Sequence, residues 1–382
     1  MPSRTLLALS LLSSLALSSV PLRAQVDVNV DTRIPIGVTP FSGNEALTKV
    51  VIDDLNRTLL FAATPGAGQK YTASGTVTAG TLTGQLGGAG GASLIAKGYS
   101  GDGRKAAHQF ADDITRTLGH CEGFATSRLA AISGGSGHKE LYVLDIDGAN
   151  GLQLTNDKTI SARPKWSADG AKIAYTSYKS GYPDAYVITL ATNNRAHVAF
   201  FPGINTGAAF SPDGSRLALT LSKEGTPLIY TMPAAGGPPS RLTPGGGTET
   251  SPCWSPDGSK IVYDSDARGS VQLYTVPSGG GSPTRLATVS GYSAEPDWSP
   301  DGTKIAFTGR SGGQFQIGVY DLSTGQSSLV TTTGGQDPSW THNSRHLVYS
   351  RGGGLWILDT VTHATARLDN GLTQAAEPAV SR

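Results

Sequence analysis

From about residue 127 onward, short apolar runs alternate with polar turns in a pattern that returns at a fixed interval. The clearest copy is "DWSPDGTKIAFT", Asp297 to Thr308, in which an aromatic residue precedes Ser-Pro-Asp-Gly and an apolar run follows it. The turn glycines Gly170, Gly214, Gly258 and Gly302 stand 44 residues apart. A weaker copy keeps Trp340 but replaces the turn with Thr341, His342, Asn343 and Ser344. Each unit reads as four strands. The first ends in Trp166, Phe210, Trp254, Trp298 or Trp340, and the second is the apolar run after the turn. The third begins near Leu141, Ala185, Leu228, Leu273, Ile317 or Leu355, and the fourth ends near Leu154, Leu242, Leu286 or Leu368. Proline presets φ in such a turn and glycine completes it without steric cost. Four antiparallel strands repeating at this period predict the blades of a β-propeller.

Six third strands predict six blades. The earliest unit, near Ser127, lacks a first strand, while the C-terminal "EPAV" repeats the Glu295-Pro296 pair at Glu377-Pro378. The C-terminal strand is therefore expected to complete the first blade and close the ring over residues 126–382. The recurring aromatics are expected to be core.

Residues 25–125 do not repeat. "IPIGVTPF" from Ile34 reads as a strand, and a helix follows with Ser42 and Glu45 spaced as a capping box and Val51, Leu55 and Leu59 on one face. "YTASGTVTAG" and "GASLIAKGYS" read as strands. A second helix is expected from about Arg104 to Leu118, with Ala107, Phe110, Ile114 and Leu118 inward and its stop at Gly119. The whole is an all-β six-bladed propeller preceded by a small α/β domain. Residues 1–24 have the layout of a cleaved signal peptide, with Arg4 ahead of an apolar run from Leu6 to about Val20. This predicts export, a mature chain starting near Gln25, and no direct membrane insertion.

Composition narrows the chemistry. Thirty Lys plus Arg against 29 Asp plus Glu give no global field for nucleic acid. Cys121 and Cys253 fall in different domains, where two unpaired thiols are expected, although an exported chain could join them. "GRSGG" from Gly309 matches G-x-S-x-G, but it occupies the hairpin loop of its unit, whereas a nucleophile elbow needs a strand-to-helix turn. Gly87 to Gly91 reads as a hairpin loop, "DIDGAN" from Asp145 as a turn rather than a calcium loop, and His342 and His346 as exposed residues. No catalytic residue, cofactor site or metal site emerges. One set is less bland: Arg163, Gly207, Ser251, Glu295, Asp337 and Glu377 take equivalent places early in the inner strands. Three consecutive blades thus present carboxylates at one mouth of the channel. They suit a basic partner loop or a cation, or else they satisfy backbone N–H groups at the strand starts.

"RIPIGVTPF" (Arg33 to Phe41), "HQFADDITRTLGHCEGFATSRLAAIS" (His108 to Ser133), the SPDG repeats and the terminal "EPAV" together make the mature chain resemble the TolB family, periplasmic propellers of the Tol-Pal system. The resemblance implies a monomeric, non-catalytic adaptor supporting envelope integrity and cell division. It implies that the propeller mouth binds a Pal-like lipoprotein through loops that include Ile204, Asn205, Gly207, Thr250, Ser251, Ser293 and Glu295, and the acidic half of the mouth adds Asp337 and Glu377 to the expected partner-binding set. It further implies that Gln25, Val26, Asp27, Val28, Asn29, Val30 and Asp31 form a switch segment that communicates with a TolA-like inner-membrane protein. Ile204 departs from the polar character usual in that loop. The alternative is a propeller with a carbohydrate- or peptide-binding role or a hydrolase-accessory role, disfavoured because no hydrolase domain follows Arg382.

Overall fold

The structure, a computed structural model, describes residues 33–68, 70–135 and 137–382. The expected signal peptide and the switch segment Gln25 to Asp31 lie outside the described residues. The N-terminal part runs β1 (Ile34–Val38), α1 (Ala46–Arg57), β2 (Phe61–Pro65), β3 (Thr72–Thr78), β4 (Thr81–Gly87), β5 (Ser93–Ser100) and α2 (Gly103–Gly119). Its sheet has the order β2-β1-β3-β4-β5, with β1 parallel to β2 and β3, and β3, β4 and β5 antiparallel. Val51, Leu55, Ala107, Phe110 and Ile114 are fully buried in one core, which Leu118 partly joins. Phe110 lies so close to β4 that a Cβ on Gly84 would come within 2.8 Å of its ring. A bare backbone is needed there.

Three local expectations need correction. Ser42 does not cap α1; its N–H donates to Gly75 O and it bridges to Thr76, joining the sheet instead. The helix begins at Ala46 with no side-chain cap, and Thr48 Oγ1 accepts the Phe41 N–H from inside the first turn. Leu59 lies beyond the end of α1 at φ 62° and packs into a propeller cluster with Phe124, Leu129 and Leu355. Finally, α2 includes Gly119, and the left-handed residue that ends it is His120, at φ 52°. β2 and β4 were not anticipated: Phe61–Pro65 is too short to show a period, and Thr81–Gly87 holds only two apolar side chains.

The remaining strands form six four-stranded antiparallel sheets. In the first blade the innermost strand is Ala376–Val380, which pairs antiparallel with Arg128–Ser133, so the C-terminus closes the ring. The repeat signature corresponds to a repeated hydrogen-bond unit. Ser167, Ser211, Ser255 and Ser299 each donate to the Asp two residues on, and those aspartates accept the N–H of Ala171, Ser215, Ser259 and Thr303. The four turn glycines take φ between 67° and 76°, a region open to glycine at no cost. In the sixth blade Thr341 and Asn343 replace Ser and Asp in the same pattern, with Ser344 at φ 55°.

The aromatics are core, as expected. Trp254, Trp298 and Trp340 are at most 5% exposed, and Trp166 is half-buried. Three indole N–H groups donate to an inner strand of the preceding blade: Trp166 to Ala379 O, Trp254 to Ala209 O and Trp340 to Asp297 O. Trp298 donates instead within its own turn, to Gly302 O.

Candidate functional site

The chain enters every inner strand at one end of the propeller, here called the upper end; the SPDG turns lie at the lower end. The six equivalent residues Arg163, Gly207, Ser251, Glu295, Asp337 and Glu377 all have φ between 51° and 65°, and each inner strand shows a register shift at this point. Five of the six precede proline, which contributes no N–H to the ladder. The result is a ring of β-bulges lining the channel just inside its upper mouth.

A bulged residue turns its N–H out of the sheet, and that group needs a partner. Side chains of the second strand of the preceding blade supply most of them. Gly207 N donates to Thr176 Oγ1 (3.2 Å), Glu295 N to Asp264 Oδ2 (3.2 Å), Asp337 N to Thr308 Oγ1 (3.1 Å) and Glu377 N to Ser350 Oγ (2.9 Å). In the first blade the equivalent place is Ile132, which offers no acceptor. Glu377 fills the gap, its Oε2 accepting the Arg163 N–H. Glu295 Oε2 accepts from Thr308 Oγ1 (2.7 Å) and Asp337 N (3.2 Å). Two of the three rim carboxylates therefore do satisfy backbone N–H groups, while all three still line the channel.

The electrostatics of this ring are one-sided. Blades five, six and one bring Glu295, Asp337 and Glu377 together. Burial, then the charges of Glu295 and Glu377, push Asp337 far above the usual carboxylate range. Asp264, fully buried behind Glu295, is also raised by burial. On the opposite half the Arg163 guanidinium donates to Ser251 Oγ at 2.9 Å.

The other residues expected at this mouth are placed differently from one another. Ile204 is 38% exposed on the loop ahead of its strand, and Thr250 is half-buried. Asn205 and Ser293 are fully buried. Asn205 accepts the Phe201 N–H and donates to Asp184 Oδ1, and Ser293 is hydrogen-bonded to Thr288, so both hold loops from within. Serving as internal fasteners, they do not belong to the solvent-facing part of the rim.

The lower end of the channel holds a cavity of about 260 Å³ walled by Trp166, Phe210, Trp254 and Cys253. Asp297 is buried there, and although burial raises its pKa, Lys165 and Arg382, each 3.3 Å away, hold it low. Cys121 and Cys253 are unpaired.

The α/β domain packs on this lower side, against blades six and one. His346 corrects the expectation of exposure: it is completely buried. Its Nδ1 faces Asn343 Nδ2 at 3.0 Å, which can only donate, so Nε2 carries the hydrogen and donates to Thr58 O at 2.6 Å. Phe124 packs on the ring at 5.0 Å, and burial lowers the imidazole pKa to about 4. His342 is half-buried beside Ser127. The degenerate sixth turn is thus a domain contact. "DIDGAN" is the outer hairpin of blade one, as expected, yet its Asp147 meets the α/β domain. His108 lies between Asp54 (Nδ1 to Oδ2, 2.6 Å) and Asp147 (Nε2 to Oδ2, 3.6 Å). Burial opposes charge on His108, but the Asp54 hydrogen bond and the two carboxylates outweigh it and raise its pKa. These three side chains could converge on a metal ion. Arg57 and Arg104, however, already pair with the two carboxylates, so the cluster is a compensated ion-pair network between domains. Sequence reasoning missed it because its members lie 54 and 39 positions apart with no motif spacing.

A family model described as the TolB beta propeller domain matches residues 116–382. The chain belongs to the TolB family. Among solved structures, TolB from Acinetobacter baumannii superposes with a TM-score of 0.84 at 27% identity, covering 91% of this chain and 96% of that one. The Tol-Pal system protein TolB of Desulfosudis oleivorans is 38% identical over 22% of this chain and 20% of its own length. The TolB homolog of Chlorobium chlorochromatii is 36% identical over 32% of this chain and 29% of its own. These alignments span about a fifth to under a third of the curated relatives, whereas the structural likeness to TolB runs through both the α/β part and the propeller. Among the described residues no helix is long and apolar enough to cross a membrane.

Proposed function

We propose that this chain is a non-catalytic periplasmic adaptor of the Tol-Pal envelope system, which binds a peptidoglycan-associated lipoprotein at the upper mouth of its propeller. The observation that carries this reading is the disposition of the two ends. The α/β domain packs on the lower side, and the upper mouth is left with a ring of six equivalent bulges, half of it acidic. An acidic concavity with apolar walls favours a partner that brings basic groups. The relatives named as Tol-Pal system proteins supply the class of partner. The segment Gln25 to Asp31 is the proposed contact for a TolA-like inner-membrane protein, and export of the chain places both partners within reach.

The test is a pull-down of envelope lipoproteins with the mature protein, followed by titration calorimetry with the soluble domain of the peptidoglycan-associated lipoprotein. Saturable one-to-one binding is expected, weakened by Glu295→Gln with Asp337→Asn. Absence of any lipoprotein among the captured proteins would overturn the reading. Deleting residues 25–31 is expected to remove capture of the TolA-like protein and to leave the lipoprotein site in place.

A further inference from the structure

Among the described residues nine large hydrophobic side chains are exposed, and five of them come from three loops at the upper end of blades two and three. These are Ile160, Tyr178, Tyr182, Phe200 and Ile204. Tyr182 and Phe200 are the most exposed, at 72% and 66%. The loops are tied to one another: Tyr178 N donates to Ile160 O at 3.0 Å, and Asn205 N to Pro183 O at 3.0 Å. Phe200 is braced from below by His197, ring to ring at 4.6 Å, and His197 stacks on Tyr186 at 4.4 Å. The patch is thus held in place rather than loosely displayed. Scattered exposed apolar residues need no explanation, but a cluster on rigid loops marks an interaction site.

The upper face therefore has two unlike halves. Blades five, six and one carry Glu295, Asp337 and Glu377; blades two and three carry the aromatic and aliphatic patch. We infer that this face is a bipartite recognition surface that fixes the rotational setting of its partner, a protein presenting a basic side chain to the acidic half and an apolar side chain to Tyr182 and Phe200. The chemistry argues against other occupants. An anionic membrane surface would be repelled by the acidic half. A second copy docked face to face about a two-fold axis that crosses the middle of the acidic half would set carboxylates against carboxylates. A glycan would find two isoleucines where a stacking platform needs hydroxyl and amide partners beside its rings. The inference rests on the adaptor reading above and adds the aromatic half to it.

The experiment titrates the soluble domain of the peptidoglycan-associated lipoprotein into the wild-type protein, Tyr182→Ser, and Tyr182→Ser with Phe200→Ser, at two salt concentrations. Thermal melts confirm that the variants fold. Buried aromatic anchors dominate interface energies, so the double variant is expected to lose roughly 30-fold or more in affinity, with its salt dependence unchanged. Glu295→Gln with Asp337→Asn is expected instead to weaken binding most at low salt. Wild-type and double-variant affinities within about 2-fold of each other would overturn the aromatic half and leave the adaptor reading standing. No binding by the wild type would overturn both. Self-association of the wild type in sedimentation, abolished in the double variant, would assign the patch to a second copy and also overturn the inference.

Discussion

Trp340 illustrates how one side chain joins two blades. It has no exposed surface, and its indole N–H reaches Asp297 O of the neighbouring inner strand. Trp340→Ala is expected to cost ~3–5 kcal/mol in urea denaturation, and Trp340→Phe about 1 kcal/mol beyond the volume change, for the carbonyl left unpaired. The rim carboxylates permit a sharper comparison. Removing Glu377 orphans the Arg163 N–H, whereas removing Glu295 leaves Asp337 N its bond to Thr308 Oγ1. Glu377→Ala is therefore expected to destabilise by roughly 1–3 kcal/mol, Glu295→Ala by clearly less, and Glu377→Gln to recover most of the loss. Equal losses from the two alanine variants would contradict this account. The repeat made the equivalence of these positions legible. It did not reveal that Glu377 substitutes for a missing hydroxyl, because the gap at Ile132 appears only once the last strand is seated beside Arg128–Ser133.

At the level of elements, the strand pattern was legible wherever tight turns and apolar runs alternate, which is nearly all of the propeller. The first helix shows the limit: Ser42 and Glu45 have capping-box spacing, but the sheet edge competed for Ser42 and won. The sixth turn shows another. Its histidines looked like surface residues of a decayed repeat, since nothing in the local sequence signals that Thr58 and Phe124 lie against them. His346 gives this contact a pH signature. Its folded pKa, about 4, lies below the ordinary value near 6.5, so between these values the unfolded chain binds the extra proton. Stability is expected to fall as pH drops through this window, by on the order of 3 kcal/mol in total. His108, raised by its two carboxylates, contributes with the opposite sign: its support is fully present below its unfolded pKa and fades as pH rises. Chemical denaturation of the wild type and His346→Gln at pH 7 and pH 4.5 separates the two. The variant is expected to be less sensitive to acid, and parallel behaviour would refute the assignment.

For the molecule as a whole, the decisive pairing is the one between its last strand and the start of the propeller. Deleting residues 376–382 removes the inner strand of blade one, the Glu377 and Trp166 contacts and the Arg382 partner of Asp297. The truncated chain is expected to lose its single cooperative melting transition and to bind hydrophobic dyes; an unchanged transition would show that the seam contributes little. The number of blades and this closure were legible in the sequence, as was the acidic half of the mouth. The aromatic half was not, because Tyr178, Tyr182 and Phe200 belong to loops that differ from blade to blade and carry no period. The position of the seam has a further consequence for biogenesis. Since the earliest blade must wait for residues 376–380, a chain halted before them presents the Arg128–Ser133 edge without a partner, and such an edge invites pairing with other chains. Arrival of that strand and protection from aggregation are thereby linked in a single hydrogen-bonded seam.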